Sequence, residues 1–455
     1  MELPQALLKS LEHVPGFDAS SFLQAHHSAA PVSIRLNANK CKDPEQFLEN
    51  SGLPAASRVP WCPTGYYLME RPKFTLDPSL HAGAYYVQEA SSMFLHHLVD
   101  HLTKNENELS VLDLCAAPGG KSSLLSALPQ VKLVVANEII RSRVSILYEN
   151  MVKWGDQKII ISNSDPVQCR KLGSYFDVML VDAPCSGSGL FRKDPTAISE
   201  WSEENVKHCA ERQKRILADA LPALKEDGLL IYSTCSYSAE ENENIMDWLM
   251  QHADLEPLEI PVPESWGIVK TMSESGGIGY RFFPGRLNGE GFFTCAFRYK
   301  GEEASAYPEE IEPSLLNVKE IASLDGWLRP DLESQYLSAG NDVYIIPDNI
   351  FGDYLRLNKT LNIRKAGVHA GSLAHGKFVP EHELALTDLL NISYRAIDLN
   401  LEQALLYLRK QVFTVETEEK GWFIVRYNGL KLGWIKQLGN RINNYYPASW
   451  RILLS

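Results

Sequence analysis

Two cysteines in this 455-residue chain sit in matching surroundings. Cys235 ends the apolar run of "LLIYSTCSYSAEENE", just before a charged, helix-like segment, and Cys185 follows Asp182 in "VMLVDAPCSGSG". Each closes a predicted strand, and in an open α/β sheet ligands bind beyond the carboxyl ends of the strands. A thiolate placed there is a strong nucleophile, able to split one hard step into two easier ones through a covalent intermediate. Nearby positive charge or a helix start must favour the thiolate. Lys121 is a candidate cation and "SAEENE" a candidate helix start. Chemistry alone does not choose between the two thiols, and a free cysteine read by itself is more often a small buried hydrophobe. Cys115, Cys169, Cys209 and Cys295 have no paired context and read as structural. No two cysteines form a Cys-x-x-Cys pair, so neither a zinc site nor a redox couple is expected.

A second candidate is the loop in "SVLDLCAAPGGKSS", from Ser110 to Ser123. A strand enters small residues and a helix leaves them. Glycine lets a ligand approach the backbone, and the helix start offers free N–H groups. A Walker A loop needs glycine five positions before Gly120, where this chain has Cys115, and the Gly-x-Gly-x-x-Gly fingerprint is absent. The next strand, "KLVVANE", ends at Glu138, placed to accept hydrogen bonds from ribose hydroxyls. Asp165 follows the third strand and Asp182 ends the fourth. Any one of these acids alone is more often a helix cap. Together they favour an adenosine-type ligand with ribose hydroxyls and an amine but no phosphate.

The elements that must position these groups form a rhythm. From about residue 86 to 300 the runs "SVLDL", "KLVVAN", "KIIIS", "FDVMLVD" and "LLIYST" alternate with helical segments. That pattern predicts a parallel sheet with helices on both faces. "IGYRFFP" and "GEGFFTCAFRY" read as a closing hairpin. Residues 1–85 read as a small mixed region with an amphipathic start, a strand in "PVSIRLNAN" and a broken loop in "RVPWCPTGYYL". "GEEASAYPEEIEP", residues 301–313, reads as an acidic linker. The net charge of -13 excludes a uniformly basic nucleic-acid binder but not local basic patches. Beyond the linker the charge reverses: residues 354–380 and 420–455 hold no Asp or Glu. The second run carries Lys420, Arg426, Lys431, Lys436, Arg441 and Arg451 among Trp422, Trp434, Tyr445, Tyr446 and Trp450. Such a region suggests a polyanion-facing surface, while a place in a small β core is the plainer reading of any single ring. No apolar run of about 18 residues marks a membrane span. The N-terminus does not read as a signal peptide, and scattered cysteines fit a reducing cytoplasm.

"DLCAAPGGKS", "DAPCSGSG" and "STCSYSAEENE", in that order and spacing, resemble the signatures of RNA cytosine-C5 methyltransferases of the NOL1/NOP2/Sun family. "PVSIRLNANK" and "GAYYVQEASSM" resemble that family's N-terminal elements. "HAGSLAHGKFVPEHELAL" and "GLKLGWIKQLGNRINNYYP" are similar to the C-terminal extension of its bacterial ribosomal-RNA branch, which ends in a PUA-like domain. The resemblance is strongest over residues 85–300 and weakest over 300–355. It implies an α/β class I (Rossmann-like) methyltransferase domain over residues 86–300, after a small α+β RNA-binding region over 1–85. A linker and intermediate region (301–375) and a mixed or β PUA-like RNA-binding domain (376–455) would follow.

The resemblance also implies S-adenosyl-L-methionine as cofactor, lined by Cys115, Ala116, Ala117, Pro118, Gly119, Gly120 and Lys121. Glu138 would bind its ribose, Asp165 would lie by the adenine, and Asp182 would sit between cofactor and target base. Cys235 would be the nucleophile and Cys185 would serve product release, with Lys121 as local cation and Asp182 as a candidate proton donor to N3. Cytosine C5 is a poor nucleophile, and addition of a thiolate to C6 makes it electron-rich. The base must leave its stack, at a cost of a few kcal/mol. The implied partner is RNA, 16S ribosomal RNA in a small-subunit or assembly context, met by a cytoplasmic monomer without a metal. Transfer RNA is the alternative substrate, and a non-catalytic assembly factor the alternative role. An amino-group methylator would carry Asn/Asp-Pro-Pro-aromatic where this chain has Asp182-Ala183-Pro184-Cys185, and would have no use for the thiol.

Overall fold

The computed structural model describes residues 2–453 apart from 303–312, 375, 392 and 440. Most of the acidic linker therefore lies outside the described residues. The five apolar runs form the strands β1 (Leu109–Asp113), β2 (Val131–Asn137), β3 (Ile159–Ser162), β4 (Phe176–Asp182) and β5 (Leu224–Thr234). Next come β6 (Leu255–Pro257), β7 (Val269–Met272), β8 (Ile278–Phe282) and β9 (Phe292–Tyr299). With β10 (Ile363–Lys365) they make one ten-stranded sheet, ordered β7-β8-β9-β5-β4-β1-β2-β3-β10, with β6 beside β9. β1 to β5 pair in parallel, and β7 to β10 join antiparallel. The expected hairpin is β8–β9, and it extends this sheet.

Continuous apolar runs follow from burial on both faces. Val111, Val134, Ile161, Leu180 and Ile231 face one core with α1 (Gly120–Ser126) and α2 (Arg141–Trp154). Leu112, Val135, Ile160, Val181 and Tyr232 face the other with α3 (Glu203–Ala220) and α4 (Glu243–His252). The order β3-β2-β1-β4-β5 reverses direction between β1 and β4. That opens a crevice at the carboxyl ends of those two strands.

The N-terminal region packs a four-stranded antiparallel sheet, which includes Val32–Leu36, against this domain. The stretch read as a broken loop ends instead in a buried strand, Gly65–Leu68, paired with Val32–Leu36. Two tyrosines and a leucine supply β propensity that outweighs the prolines before them. Asn37 Nδ2 donates to the carbonyls of Gly83 (3.1 Å) and Trp154 (2.9 Å), joining the region to α2.

Beyond the linker, a four-stranded sheet runs through Ser334–Ala339, Asp342–Pro347, Val368–Ala374 and Lys377–Pro380. Its last hairpin spans the boundary expected at 375/376, so the intermediate region's sheet continues to Pro380. The C-terminal sheet holds Ala396–Asp398, Gly421–Tyr427, Leu430–Gln437 and Ile442–Asn444. The two sheets share one core, in which Trp422 and Trp434 meet Val343, Ile345 and Leu384. Trp434 is 0% exposed and donates Nε1–H to the Glu381 carbonyl at 2.9 Å. The plainer reading therefore holds for Trp422, Trp434 and Tyr446, all buried core rings.

Trp434→Ala should destabilise the chain by about 3–5 kcal/mol through the cavity it leaves, measured by denaturant unfolding. Lower RNA affinity with an unchanged unfolding midpoint would instead make this ring a stacking platform.

Candidate active site

The loop from Cys115 to Lys121 crosses the mouth of the crevice between β1 and α1. Gly119 adopts φ +108, and a Cβ there would lie 2.5 Å from Met151 Cε, so only glycine fits. Its neighbours' carbonyls are tied from α2: Arg143 Nη2 donates to Ala117 O at 2.5 Å and Asn150 Nδ2 to Pro118 O at 2.8 Å. From the N-terminal sheet the buried Arg35 reaches in, donating to Ser123 Oγ at 2.6 Å and Gly120 O at 3.2 Å. Burial pushes the Cys115 thiol up, away from reactivity.

The three predicted carboxylates stand differently. Glu138 is 2% exposed; its Oε1 accepts from Ile140 N at 2.8 Å. Arg143 Nη1 lies 3.3 Å from its Oε2, an ion pair without hydrogen-bond geometry, so that oxygen has no hydrogen-bond partner among the described residues. Asp165 is exposed and caps the short helix Pro166–Cys169 through Val167 N. Asp182 accepts from Lys121 Nζ at 2.6 Å and from Ser233 Oγ at 2.8 Å. Both of its oxygens are thus acceptors, and a donor role toward N3 would require it first to take up a proton. Burial pulls Lys121 down, but the charge and hydrogen bond of Asp182 outweigh it, so its ammonium is held above the usual range. Lys121 also lies 5.6 Å from the Phe292 ring centre.

Cys185 and Cys235 come together, their sulfurs 3.0 Å apart. β4 and β5 pair in parallel with Asp182 opposite Ser233, so the loops that leave them begin side by side. Gly189 N donates to Cys235 O at 2.8 Å, and a Cβ at Gly189 would lie 2.7 Å from that same oxygen. Close approach, not flexibility, therefore requires the second glycine of "CSGSG". The hydrogen bond to Cys235, then burial, then the charges of Cys235 and Glu241 push the Cys185 thiol well above its usual range. These causes favour the protonated form of Cys185.

The expected helix start after Cys235 is displaced. A 3-10 turn spans Ala239–Glu241 and α4 begins only at Glu243, because Asn242 spends its side chain on Thr234 Oγ1 and Ser236 O. The charge of Cys235 contributes to holding the Lys121 ammonium above its usual range. Sequence reasoning also passed over Asp113, Ser233 and Glu241. Asp113, at the end of β1, is 0% exposed; Ser122 donates to its Oδ2 at 2.6 Å and its Oδ1 has no hydrogen-bond partner among the described residues. Its strand-end position was the available signal. Glu241 lay hidden in a charged run that reads as a solvated helix face.

Comparisons with known proteins fit this geometry. Residues 99–298 match the family described as "16S rRNA methyltransferase RsmB/F". Residues 3–90 match the "N-terminal domain of 16S rRNA methyltransferase RsmF", and 394–452 the "Methyltransferase RsmF PUA domain". A relative from Shewanella piezotolerans, named ribosomal RNA small subunit methyltransferase F, is 30% identical over 86% of this chain and 84% of its own. One of the same name from Vibrio vulnificus (strain YJ016) is 31% identical over 98% of this chain and 97% of its own. Among solved structures, a methyltransferase homologue from Pyrococcus horikoshii is 28% identical with a TM-score of 0.53, covering 65% of this chain and 100% of that one. NSun6 from the same organism, solved with SFG, is 18% identical with a TM-score of 0.55, over 66% of this chain and 99% of that one. The last likeness shows the fold.

Burial, opposed by the Ser122 hydrogen bond, raises Asp113 from 3.8 to about 7. The folded chain then keeps a proton that the unfolded chain releases above pH ~4, so stability falls as pH rises from about 4 to 7. Asp113→Asn removes that dependence. Its stability relative to the parent should improve by about 2–3 kcal/mol between pH 5 and pH 8, read from unfolding curves at both. A pH-independent offset would show an ordinary carboxylate.

Proposed function

The chain belongs to the 16S rRNA methyltransferase RsmB/F family, and from that premise we propose that it methylates C5 of a cytosine in 16S ribosomal RNA, with Cys235 as the attacking thiol. The observation that carries this reading is the pair of sulfurs 3.0 Å apart beside the Lys121–Asp182 ion pair. Bound S-adenosyl-L-methionine would supply an electrophilic methyl group on a sulfonium. The residues present fit it: a glycine-bearing loop that bars side chains, and two buried carboxylate oxygens, Asp113 Oδ1 and Glu138 Oε2, without hydrogen-bond partners. Residues 115–121 with Glu138, Asp165 and Asp182 are the ones we assign to hold it.

Cys235 Sγ adds to C6 of the target base, and the ring electrons shift to make C5 nucleophilic. Lys121, held by Asp182, favours the thiolate by its charge. Once Cys235 Sγ is bonded to C6, it no longer accepts a hydrogen bond from Cys185 and no longer carries charge. Both are causes of the raised Cys185 pKa. Cys185 is thereby freed to lose its proton and to act as the base that takes the C5 proton. The C5 electron pair then re-forms the C5–C6 double bond, and Cys235 leaves as thiolate. Both thiols must stay reduced, so a reducing cytoplasm is the compartment this reading needs.

Cys235→Ala should abolish methyl transfer to RNA while leaving S-adenosyl-L-methionine affinity within a few-fold. Cys185→Ala should instead accumulate an RNase-sensitive covalent enzyme–RNA adduct, seen as a retarded band on denaturing gels. Turnover by the first variant, or full inactivity of the second without an adduct, would reverse the assignment of the two thiols.

The C-terminal sheet is the proposed RNA-recruiting surface. Lys420, Arg441 and Arg451 are exposed there, whereas Lys431 is half-buried with Nζ on Thr387 O at 2.7 Å, and Arg426 pairs with Asp398 at 2.7 Å. The shared core makes charge reversal a cleaner test than deletion. Reversing Lys420, Arg441 and Arg451 together should weaken RNA binding. The slope of log K against log salt should fall by about 0.7–0.9 for each phosphate that is no longer neutralised. An unchanged slope in a folded variant would move RNA recruitment to another surface.

A further inference from the structure

We infer that Glu241 is the positioning residue that sets the two cysteine loops against each other. Its side chain is wholly buried, and all four of its hydrogen bonds go to groups that hold those loops. Oε2 accepts from Ser186 Oγ at 2.5 Å and from Ser236 Oγ at 2.5 Å. Ser186 directly follows Cys185, and Ser236 directly follows Cys235. One oxygen thus ties together the residues next to both sulfurs. Oε1 accepts from Ser186 N at 2.8 Å and from Gln213 Nε2 at 3.1 Å. Gln213 Nε2 also donates to the carbonyl of Pro184, the residue before Cys185, at 3.1 Å.

The neighbouring Asn242 completes the arrangement on the Cys235 side. Its Oδ1 accepts from Thr234 Oγ1 at 2.7 Å and its Nδ2 donates to Ser236 O at 2.9 Å. Each cysteine is therefore gripped through residues on both of its sides: Cys235 by the adjacent side chains of Glu241 and Asn242, Cys185 by Glu241 and the Gln213 that it binds. Four donors converging on one carboxylate satisfy a charge that would otherwise be costly to bury. Glutamine cannot reproduce this, because its amide offers one acceptor oxygen and presents N–H groups where donors already point.

The charge has a second consequence. Glu241 is among the causes that hold the Cys185 proton. The same carboxylate that spaces the loops thus helps to make the two thiols unequal. This inference rests on the reading above only for turnover; the behaviour of the thiols can be measured without RNA or methyl donor.

The test uses the full chain and limiting iodoacetamide, with labelling at Cys185 and Cys235 resolved by mass spectrometry. In the parent chain Cys235 should label faster. In Glu241→Gln the Cys185-to-Cys235 labelling ratio should rise several-fold, because the loops lose their shared tie and Cys185 loses one of the charges that hold its proton. In the methylation assay kcat should fall while KM for S-adenosyl-L-methionine stays within about twofold, the mark of an interaction used in the chemical step. Ser236→Ala leaves the carboxylate charged but unties the Cys235 loop, should fold if Glu241→Gln does not, and should move the ratio off the parental value by less. A parental labelling ratio in folded Glu241→Gln, or in Ser236→Ala and Ser186→Ala where Glu241→Gln fails to fold, overturns the inference. A shifted ratio in a chain that methylates no RNA would leave Glu241 in its role and remove the functional reading instead.

Discussion

The parallel pairing of β4 with β5 is the constraint on which the candidate site depends. It places Asp182 opposite Ser233, so Asp182 receives the Ser233 hydroxyl, and the two cysteine loops leave the sheet together. Successive strand residues face opposite sides, so a one-residue slip would send Ser233 and every core residue of β5 to the wrong face. Val181 and Tyr232 on one face, with Leu180 and Ile231 on the other, are buried in separate cores, and this excludes the slip. Hydrophobic packing on both faces of the sheet thus sets a sulfur–sulfur distance at its edge.

The N-terminal region supports the same edge from outside. Arg35 is buried without a carboxylate partner among the described residues and spends its guanidinium on Gln88, Ser123 and the Gly120 carbonyl, with Trp154 beneath it at 4.5 Å. A desolvated cation is costly unless each donor is used, so the contact fixes the start of α1 and with it Lys121. Lys40 does the same at the far end of α2, donating to Ala82 O at 2.7 Å and Lys153 O at 2.6 Å. Desolvation, with Lys431 nearby, lowers its pKa to about 7. Such contacts join the sheets into one scaffold, and they explain why "PVSIRLNANK" reads as part of a signature although it lies far from the cysteines in sequence.

Much of this was legible in the sequence, for reasons that can be named. The five parallel strands show as apolar runs because both faces are buried, and the strand-end acids show because the runs stop at them. Gly119 shows because its backbone conformation excludes a side chain. What stayed hidden depended on tertiary context. "SAEENE" has the composition of a solvated helix start, yet the fold buries Glu241 and delays the helix to Glu243. Lys431 belongs to an acid-free basic run, yet a carbonyl of the adjoining segment captures it. Trp422 and Trp434 fit both an RNA platform and a core, and only packing against the intermediate sheet decides for the core.

The two thiols themselves follow from simple electrostatics. Two like charges 3 Å apart would repel by about 5 kcal/mol even at an effective dielectric constant of 20. A pair at this spacing therefore holds at least one proton, and the hydrogen bond with Cys235, burial and nearby negative charge favour it on Cys185. In the proposed mechanism, carbon–sulfur bond formation at Cys235 would remove one negative charge from the pair and so permit the second thiol to ionise only after the first has reacted. Under the proposed assignment this spacing would order the two cysteines: attack by Cys235 first and proton removal by Cys185 second, with departure of Cys235 from C6 restoring the condition that favours a protonated Cys185.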